Sequence, residues 1–245
     1  MTPRVTPGAT AGPPVLVVQN GPDGGPGRFG ARLAEEGLSP EVWHAYDAPH
    51  GPPPGRAHRA LVVLGGGHLP DGDEGAPWLP RTRELVRDAL DRQAPVFGIC
   101  LGGQLLAHVA GGTVRGEHGP PEVGSTGLTL RAEAAEDPLF HGLPERVTAI
   151  ENHVDAITAL PPGAVWLAES AGCPHQAFRL GGSAWGVQFH PEATEAQVAR
   201  WPAERLRRLG FDPAEVRDRT RREAPVAAPV WDTVARRFAA VVHAA

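Results

Sequence analysis

Ala94-Pro95-Val96-Phe97-Gly98-Ile99-Cys100-Leu101-Gly102-Gly103-Gln104 passes from an apolar run, through a glycine-flanked cysteine, into helix-forming residues. The run predicts a buried strand over Val96–Ile99, a sharp turn at Cys100 and a helix over Gly102–Ala110. This is the Gly-x-nucleophile-x-Gly elbow, with cysteine in the place of serine. A nucleophile on such a turn sits in a strained backbone conformation with neighbours pressed close, and a Cβ on either side would crowd it. A thiol at a helix N-terminus also faces unpaired N–H groups and the positive end of the helix dipole, which favour the attacking thiolate. Cys100 is the candidate nucleophile; the competing reading is a buried structural thiol, the commonest fate of a lone cysteine.

Outward from the elbow, Val15–Gln19, Glu41–Tyr46 and Ala60–Leu64 read as strands. Arg28–Glu36 and Trp78–Arg92 read as helices, the second with an apolar stripe of Leu79, Leu85, Val86 and Leu90. Strands alternating with helices argue for an α/β fold with a mostly parallel central sheet flanked by helices, which places reactive groups at the carboxyl ends of its strands. The second half adds strands over Gly127–Arg131, Val147–Glu151, Val165–Ala168, Gln176–Arg179 and Trp185–Phe189, separated by turns such as Pro161-Pro162-Gly163. Thr194–Leu209 and Asp232–Val242 read as helices, the first begun by Thr194 with Glu195 at its positive end. Residues 1–14 are expected as a disordered tail, and 15–245 as one domain with a C-terminal helical extension over about 202–245.

Two further segments supply what a thiol nucleophile lacks. Trp185-Gly186-Val187-Gln188-Phe189-His190-Pro191-Glu192 is an apolar strand that ends in a histidine. His190 can serve Cys100 as general base, and Glu192 can orient the imidazole, since alternate residues of an extended chain share a face. Leu61-Val62-Val63-Leu64-Gly65-Gly66-Gly67 ends a strand in glycines, whose uncovered N–H groups suit an oxyanion hole. With all three parts present, catalysis is favoured over a structural thiol.

Composition narrows the class. The 245 residues are 41% hydrophobic, enough for one sizeable core. The net charge of −5 offers no basic field for phosphate backbones, so nucleic acid is not expected as a partner. No apolar run reaches membrane-spanning length, and Met1–Gly12 lacks the apolar core of a signal peptide, so no membrane is expected either. With Cys100 and Cys173 the only cysteines, a disulfide framework is improbable and a reducing cytoplasmic location fits. All 23 residues counted as Lys or Arg are arginine. A chain without lysine has no Schiff-base amine and no Gly-Lys-Ser/Thr loop for ATP.

The segments 98–104 and 186–192 closely resemble the class I, triad-type glutamine amidotransferases, and the resemblance runs from about Val15 to about Trp201. Asn152-His153-Val154-Asp155, Gln176-Ala177-Phe178-Arg179 and Ala110-Gly111-Gly112 also match. The resemblance implies a flavodoxin-like fold and a reaction in which Cys100 attacks the side-chain carboxamide of glutamine, with His190 as base and then acid and Glu192 as its orienter. It further implies that the N–H groups of Gly66 and Leu101 hold the oxyanion. Gly67, Gln104 and the main chain of His153, Val154 and Asp155 would hold the glutamate portion of the substrate. No cofactor is implied. A separate synthetase subunit would use the ammonia, since this chain shows no ATP loop. The chain departs from the family pattern at Gly67, often proline; at Asn152, commonly serine or tryptophan; and at Val154, often serine or glycine. Each departure bears on which γ-glutamyl compound fits, and none removes a triad member.

Three other readings compete. The same triad would serve a stand-alone γ-glutamyl peptidase or hydrolase, and a roomy loop over Gly65–Ala76 would favour that larger leaving group. A non-catalytic module that binds a partner would have no need of Cys100, His190 and Glu192 together. Gly25-Pro26-Gly27-Arg28-Phe29-Gly30 spells a dinucleotide fingerprint with Asp47 as ribose acid, but Asn20–Gly24 separate it from the first strand. The 11 histidines show no metal-ligand spacing, and no metal site is expected. Glu117, His118 and Glu122 read as a solvated loop, His68 and Asp71 as pocket border or exposed surface, and Cys173 as a half-buried thiol.

Overall fold

The computed structural model describes residues 14–52 and 58–245. Apart from Pro14, the expected N-terminal tail lies outside the described residues.

A nine-stranded sheet organises the chain, in the order β2-β1-β3-β4-β11-β10-β9-β6-β7. Its first half consists of β1 (Val15–Gln19), β2 (Pro40–His44), β3 (Ala60–Val63), β4 (Val96–Ile99) and β11 (Ala184–Val187), all paired in parallel. That order is the flavodoxin-like doubly wound pattern, with a switch point between β1 and β3. The remainder is antiparallel: β10 (Ala177–Leu180), β9 (Val165–Ser170), β6 (Glu122–Leu130) and β7 (Arg146–His153). The fold is thus the expected α/β sheet with antiparallel strands added from the second half. A small ribbon of β5 (Thr113–Arg115) and β8 (Ala156–Ala159), not anticipated from the sequence, stands apart from it.

The inner parallel strands β3, β4 and β11 hold only apolar residues and glycine, and β1 only Gln19 besides, because both faces are covered there. The edge strand β2 carries Glu41 and His44. Val15 and Val17 of β1 enter a core with Phe29 and Leu33 of α1 (Gly27–Glu35) and Phe238 of α6 (Pro213–Ala244). Leu16 and Val18 point to the opposite face, with Leu79 and Val86 of α2 (Leu79–Asp91) and Leu105 of α3 (Leu101–Val109). Burying Phe97, Phe178, Trp185 and Phe238 to 1% exposure or less contributes on the order of 2 kcal/mol each.

Two helical expectations are corrected. Thr194–Leu209 is not one helix but two, α4 (Glu195–Ala199) and α5 (Ala203–Arg208). Pro202 between them lacks an N–H and biases Trp201 away from helical geometry. Thr194 does begin α4, through a capping box with Gln197. The helix expected over Asp232–Val242 is the end of α6, which starts at Pro213 and runs through Pro225 and Pro229. Both prolines are exposed, so the backbone carbonyls deprived of a donor face water instead of the core. Asp212 caps the start, its Oδ1 accepting from the N–H groups of Ala214 and Glu215. Among the described residues no helix is long and apolar enough to cross a membrane.

Candidate active site

Cys100 sits where β4 turns into α3, with φ +51° and ψ −111°, a conformation rare for a residue that carries a Cβ. The surroundings over-determine it. Its N–H donates to Val187 C=O at 2.8 Å, and its C=O accepts from Gln104 N–H at 2.9 Å. A Cβ on Gly102 would lie 2.0 Å from Val63 O, and one on Gly103 would lie 2.6 Å from Val187 O. Only glycines let the start of α3 dock this closely onto β3 and β11, so the strain at Cys100 is held by packing on both sides.

The glycine turn after β3 closes over this elbow. A Cβ on Gly65 would lie 2.8 Å from His190 Cε1 and 3.4 Å from Cys100 Cβ, and one on Gly66 would lie 2.8 Å from Leu101 Cδ2. Gly67, by contrast, opens to space, with nothing within 4 Å of its Cβ direction. The turn is fixed by a residue that the sequence reading missed. Asn20, 3% exposed at the end of β1, donates through Nδ2 to Leu64 C=O at 2.7 Å and accepts from Trp78 Nε1 at 2.9 Å. A lone Asn directly after an apolar strand was its signal.

His190 arrives from the end of β11, its N–H donating to Ile150 C=O at 2.7 Å. Its Nδ1 lies 2.7 Å from Glu192 Oε1. A carboxylate can only accept, so Nδ1 carries a proton and donates it to Glu192. Among the described residues, no group meets Nε2 at hydrogen-bonding geometry. Burial by itself would push the imidazole down; the charge of Glu192 and the neighbouring Cys100 outweigh it and hold the protonated form to well above the ordinary histidine range. Glu192 is anchored through its backbone: its C=O accepts from Arg28 N–H at 3.0 Å, and a Cβ on Gly27 would lie 2.2 Å from that oxygen. The apparent dinucleotide fingerprint at 25–30 therefore packs against the loop that carries Glu192.

The candidate substrate residues form a second layer. Gln104, 2% exposed, reaches Asp155 C=O at 3.4 Å and Gln188 Oε1 at 3.2 Å through its Nε2. The main chain at Val154 and Asp155 is tied to the 117–118 segment: His118 N–H donates to Val154 C=O at 3.0 Å, and Glu117 N–H donates to Asp155 Oδ1 at 2.9 Å. His153 is buried, with Nδ1 3.0 Å from Asp155 C=O and Nε2 3.1 Å from Glu122 Oε2. Glu122 is not in a solvated loop; it opens β6, is 7% exposed, and accepts from Ser170 Oγ at 2.8 Å and Gln176 Nε2 at 2.7 Å. Cys173 is not half-buried but 1% exposed, and burial with the nearby Glu151 and Glu122 pushes its thiol up to about 12. Glu122, His153 and Cys173 offer ligand atoms within 4.8 Å of one another, a spacing a metal could use. The Glu122 carboxylate and both ring nitrogens of His153, however, already have protein partners, so the cluster reads as an internal hydrogen-bond network.

A thiol, an imidazole with one nitrogen available, a carboxylate and exposed glycine N–H groups thus converge at the carboxyl ends of β3, β4 and β11. That is the equipment for acyl transfer through a covalent intermediate. The family model for glutamine amidotransferase class-I matches residues 31–204. The chain belongs to the class-I glutamine amidotransferases. It is 38% identical over 141 residues to a glutamine-hydrolyzing GMP synthase of Thermomicrobium roseum, covering 56% of this chain and 24% of that protein. Against the GMP synthase of Aeropyrum pernix it is 39% identical over 141 residues, covering 58% and 26%. The chain therefore spans about a quarter of the length of these curated relatives. A solved glutamine amidotransferase from Thermotoga maritima superposes with a TM-score of 0.80 at 25% identity, covering 92% of this chain and 97% of that one. One from Methylobacillus flagellatus gives 0.80 at 28%, covering 92% and 93%.

Proposed function

We propose that this amidotransferase chain releases ammonia from the glutamine side chain through a γ-glutamyl thioester on Cys100. The observation that carries the reading is the His190–Glu192 pair at 2.7 Å, set against the strained cysteine elbow under the Gly65-Gly66 turn. In this mechanism His190 Nε2 takes the thiol proton and the resulting Cys100 thiolate attacks the side-chain carbonyl carbon. The N–H groups of Gly66 and Leu101 receive the oxyanion, donors of a kind worth ~3 kcal/mol each. His190 then gives its proton to the departing nitrogen, and ammonia leaves. Water attacks the thioester with His190 again as base, and glutamate is released with the thiol restored. Gly67, Gln104 and the segment His153, Val154 and Asp155 hold the glutamate portion.

The ammonia passes to a synthetase activity, for which these 245 residues themselves carry no Gly-Lys-Ser/Thr loop. The glutamine-hydrolyzing GMP synthases among the relatives support this pairing of activities. A larger γ-glutamyl amide is disfavoured because the loop 65–76 is braced: Arg83 pairs with Asp73 through two hydrogen bonds of 2.7 and 2.8 Å, and Ala76 is fully buried. The test supplies the purified chain with glutamine and follows glutamate and ammonia. The expected result is stoichiometric release of both, abolished by Cys100→Ala. Release of larger amines from γ-glutamyl peptides, with glutamine untouched, would replace glutamine with the peptidase reading.

A further inference from the structure

Gln188 lies two positions before His190 and is fully buried, its backbone N–H fixed to Gln176 C=O at 2.8 Å. A buried carboxamide must place both its N–H groups and its oxygen against partners. Here Nε2 donates to Cys100 Sγ at 3.6 Å, and Oε1 accepts from Gln104 Nε2 at 3.2 Å. Which way each amide faces follows from the far end of the chain. Asp155 C=O, 3.4 Å from Gln104 Nε2, can only accept, so Gln104 must turn its nitrogen toward it. The other N–H of that nitrogen then meets Gln188, which must answer with oxygen. The Gln188 nitrogen is left facing the sulfur. A backbone carbonyl thus sets the polarity of two buried side chains, and the nucleophile always sees a donor.

We propose that Gln188 is a further residue of the reaction, a neutral donor that stabilises the Cys100 thiolate and aims its sulfur; this rests on the Cys100 nucleophile reading above. A donor to sulfur favours the anion over the thiol, which has its own proton to place. Gln188 does so without carrying charge. It has no proton to give up in the reaction, so it is in place both when the thiolate attacks and again when the thiolate departs from the thioester. Gln104, taken from the sequence as a substrate contact, is on this geometry also the residue that orients Gln188.

The test is the rate of Cys100 carboxamidomethylation by iodoacetamide across pH, read by peptide mass spectrometry on the full chain. Unsubstituted protein is compared with Gln188→Met, similar in volume without a donor, and with the isosteric Gln188→Glu. At pH 7 the methionine variant should react about tenfold more slowly, the scale expected for losing a hydrogen bond to an ion, and the glutamate variant more slowly still. All three should converge at high pH, where the thiol is ionised regardless. Either folded variant overlaying the parent profile overturns the proposal, and so does slowing by the same factor at every pH, which marks altered access. In the unsubstituted chain, the Gln188 side-chain N–H resonances must titrate in step with the alkylation profile; resonances that stay still overturn it without any variant. Alkylation needs no glutamine, so an absent glutaminase activity and an unchanged thiol profile remain separate failures.

Discussion

Two histidine–carboxylate groups lie in this molecule a short distance apart, and they are built for opposite purposes. His190 has Nδ1 on Glu192, Nε2 available beside Cys100, and a side chain that is 14% exposed. His153 has Nδ1 on Asp155 C=O, Nε2 between Glu122 at 3.1 Å and Glu151 at 3.5 Å, and a side chain only 3% exposed. The residue types are nearly the same. The difference is one uncommitted nitrogen with an edge toward solvent, which lets an imidazole exchange protons with a substrate. The pair in the parallel half of the sheet is open for chemistry, and the pair at the β6–β7 end is closed into the fold.

That contrast breaks first under exchange of the two histidines for alanine. His190→Ala should lower turnover by roughly 10³-fold or more while leaving the denaturation midpoint close to the parent's. His153→Ala should do the reverse. It strands the buried Glu122 carboxylate and opens a cavity beside Glu151, costs on the order of 3 kcal/mol of stability, and leaves turnover per folded molecule far less affected than His190→Ala does. Urea denaturation alongside glutamate release separates the two outcomes. A His153→Ala protein as stable as the parent would mean that the β6–β7 cluster is not a structural network. Glu192→Gln sharpens the comparison from the carboxylate side. The orienting hydrogen bond is weakened but Nε2 remains, so the loss should be about a hundredfold milder than that of Cys100→Ala.

The chain's letters display these two regions unequally. The elbow is legible because its chemistry is local: Gly98, Cys100 and Gly102 must be neighbours in sequence for one turn to work, and His190 and Glu192 share a strand-end face. Strands β1, β4 and β11 announce themselves as unbroken apolar runs because both their faces are covered. The β6–β7 network is assembled from residues as distant as Glu122, His153 and Gln176, and nothing local marks Glu122 as buried. The alternation of β7, with Val147, Ala149, Glu151 and His153 inward, does carry the information, but its inner face turns polar where the apolar signal was expected to end. Gln188 was hidden in the same way, as a polar residue inside Val187-Gln188-Phe189. Helix α6 was expected only over Asp232–Val242; it extends back through Pro225 and Pro229, whose exposure shows why the helix continues there.

Glu151 provides the finest probe of the contrast, because it stands between the two histidines. It is fully buried, and among the described residues neither of its carboxyl oxygens has a hydrogen-bond partner. Burial, and then the charge of Glu122, raise its carboxyl well above the ordinary range, with His190 pulling the other way. The folded chain therefore keeps a proton on Glu151 that the unfolded chain gives up above about pH 4.5. Holding that proton costs stability as pH rises through the window between the unfolded and folded values, by at most about 1.4 kcal/mol per pH unit. Glu151→Gln replaces the acid with a neutral amide of the same shape and removes the dependence. Near pH 4 the two proteins should differ little; from pH 5 upward the variant should gain steadily on the parent in denaturation midpoint. Parallel stability curves would place an ionised carboxylate at Glu151 in the folded chain, with His190 as the charge that favours it.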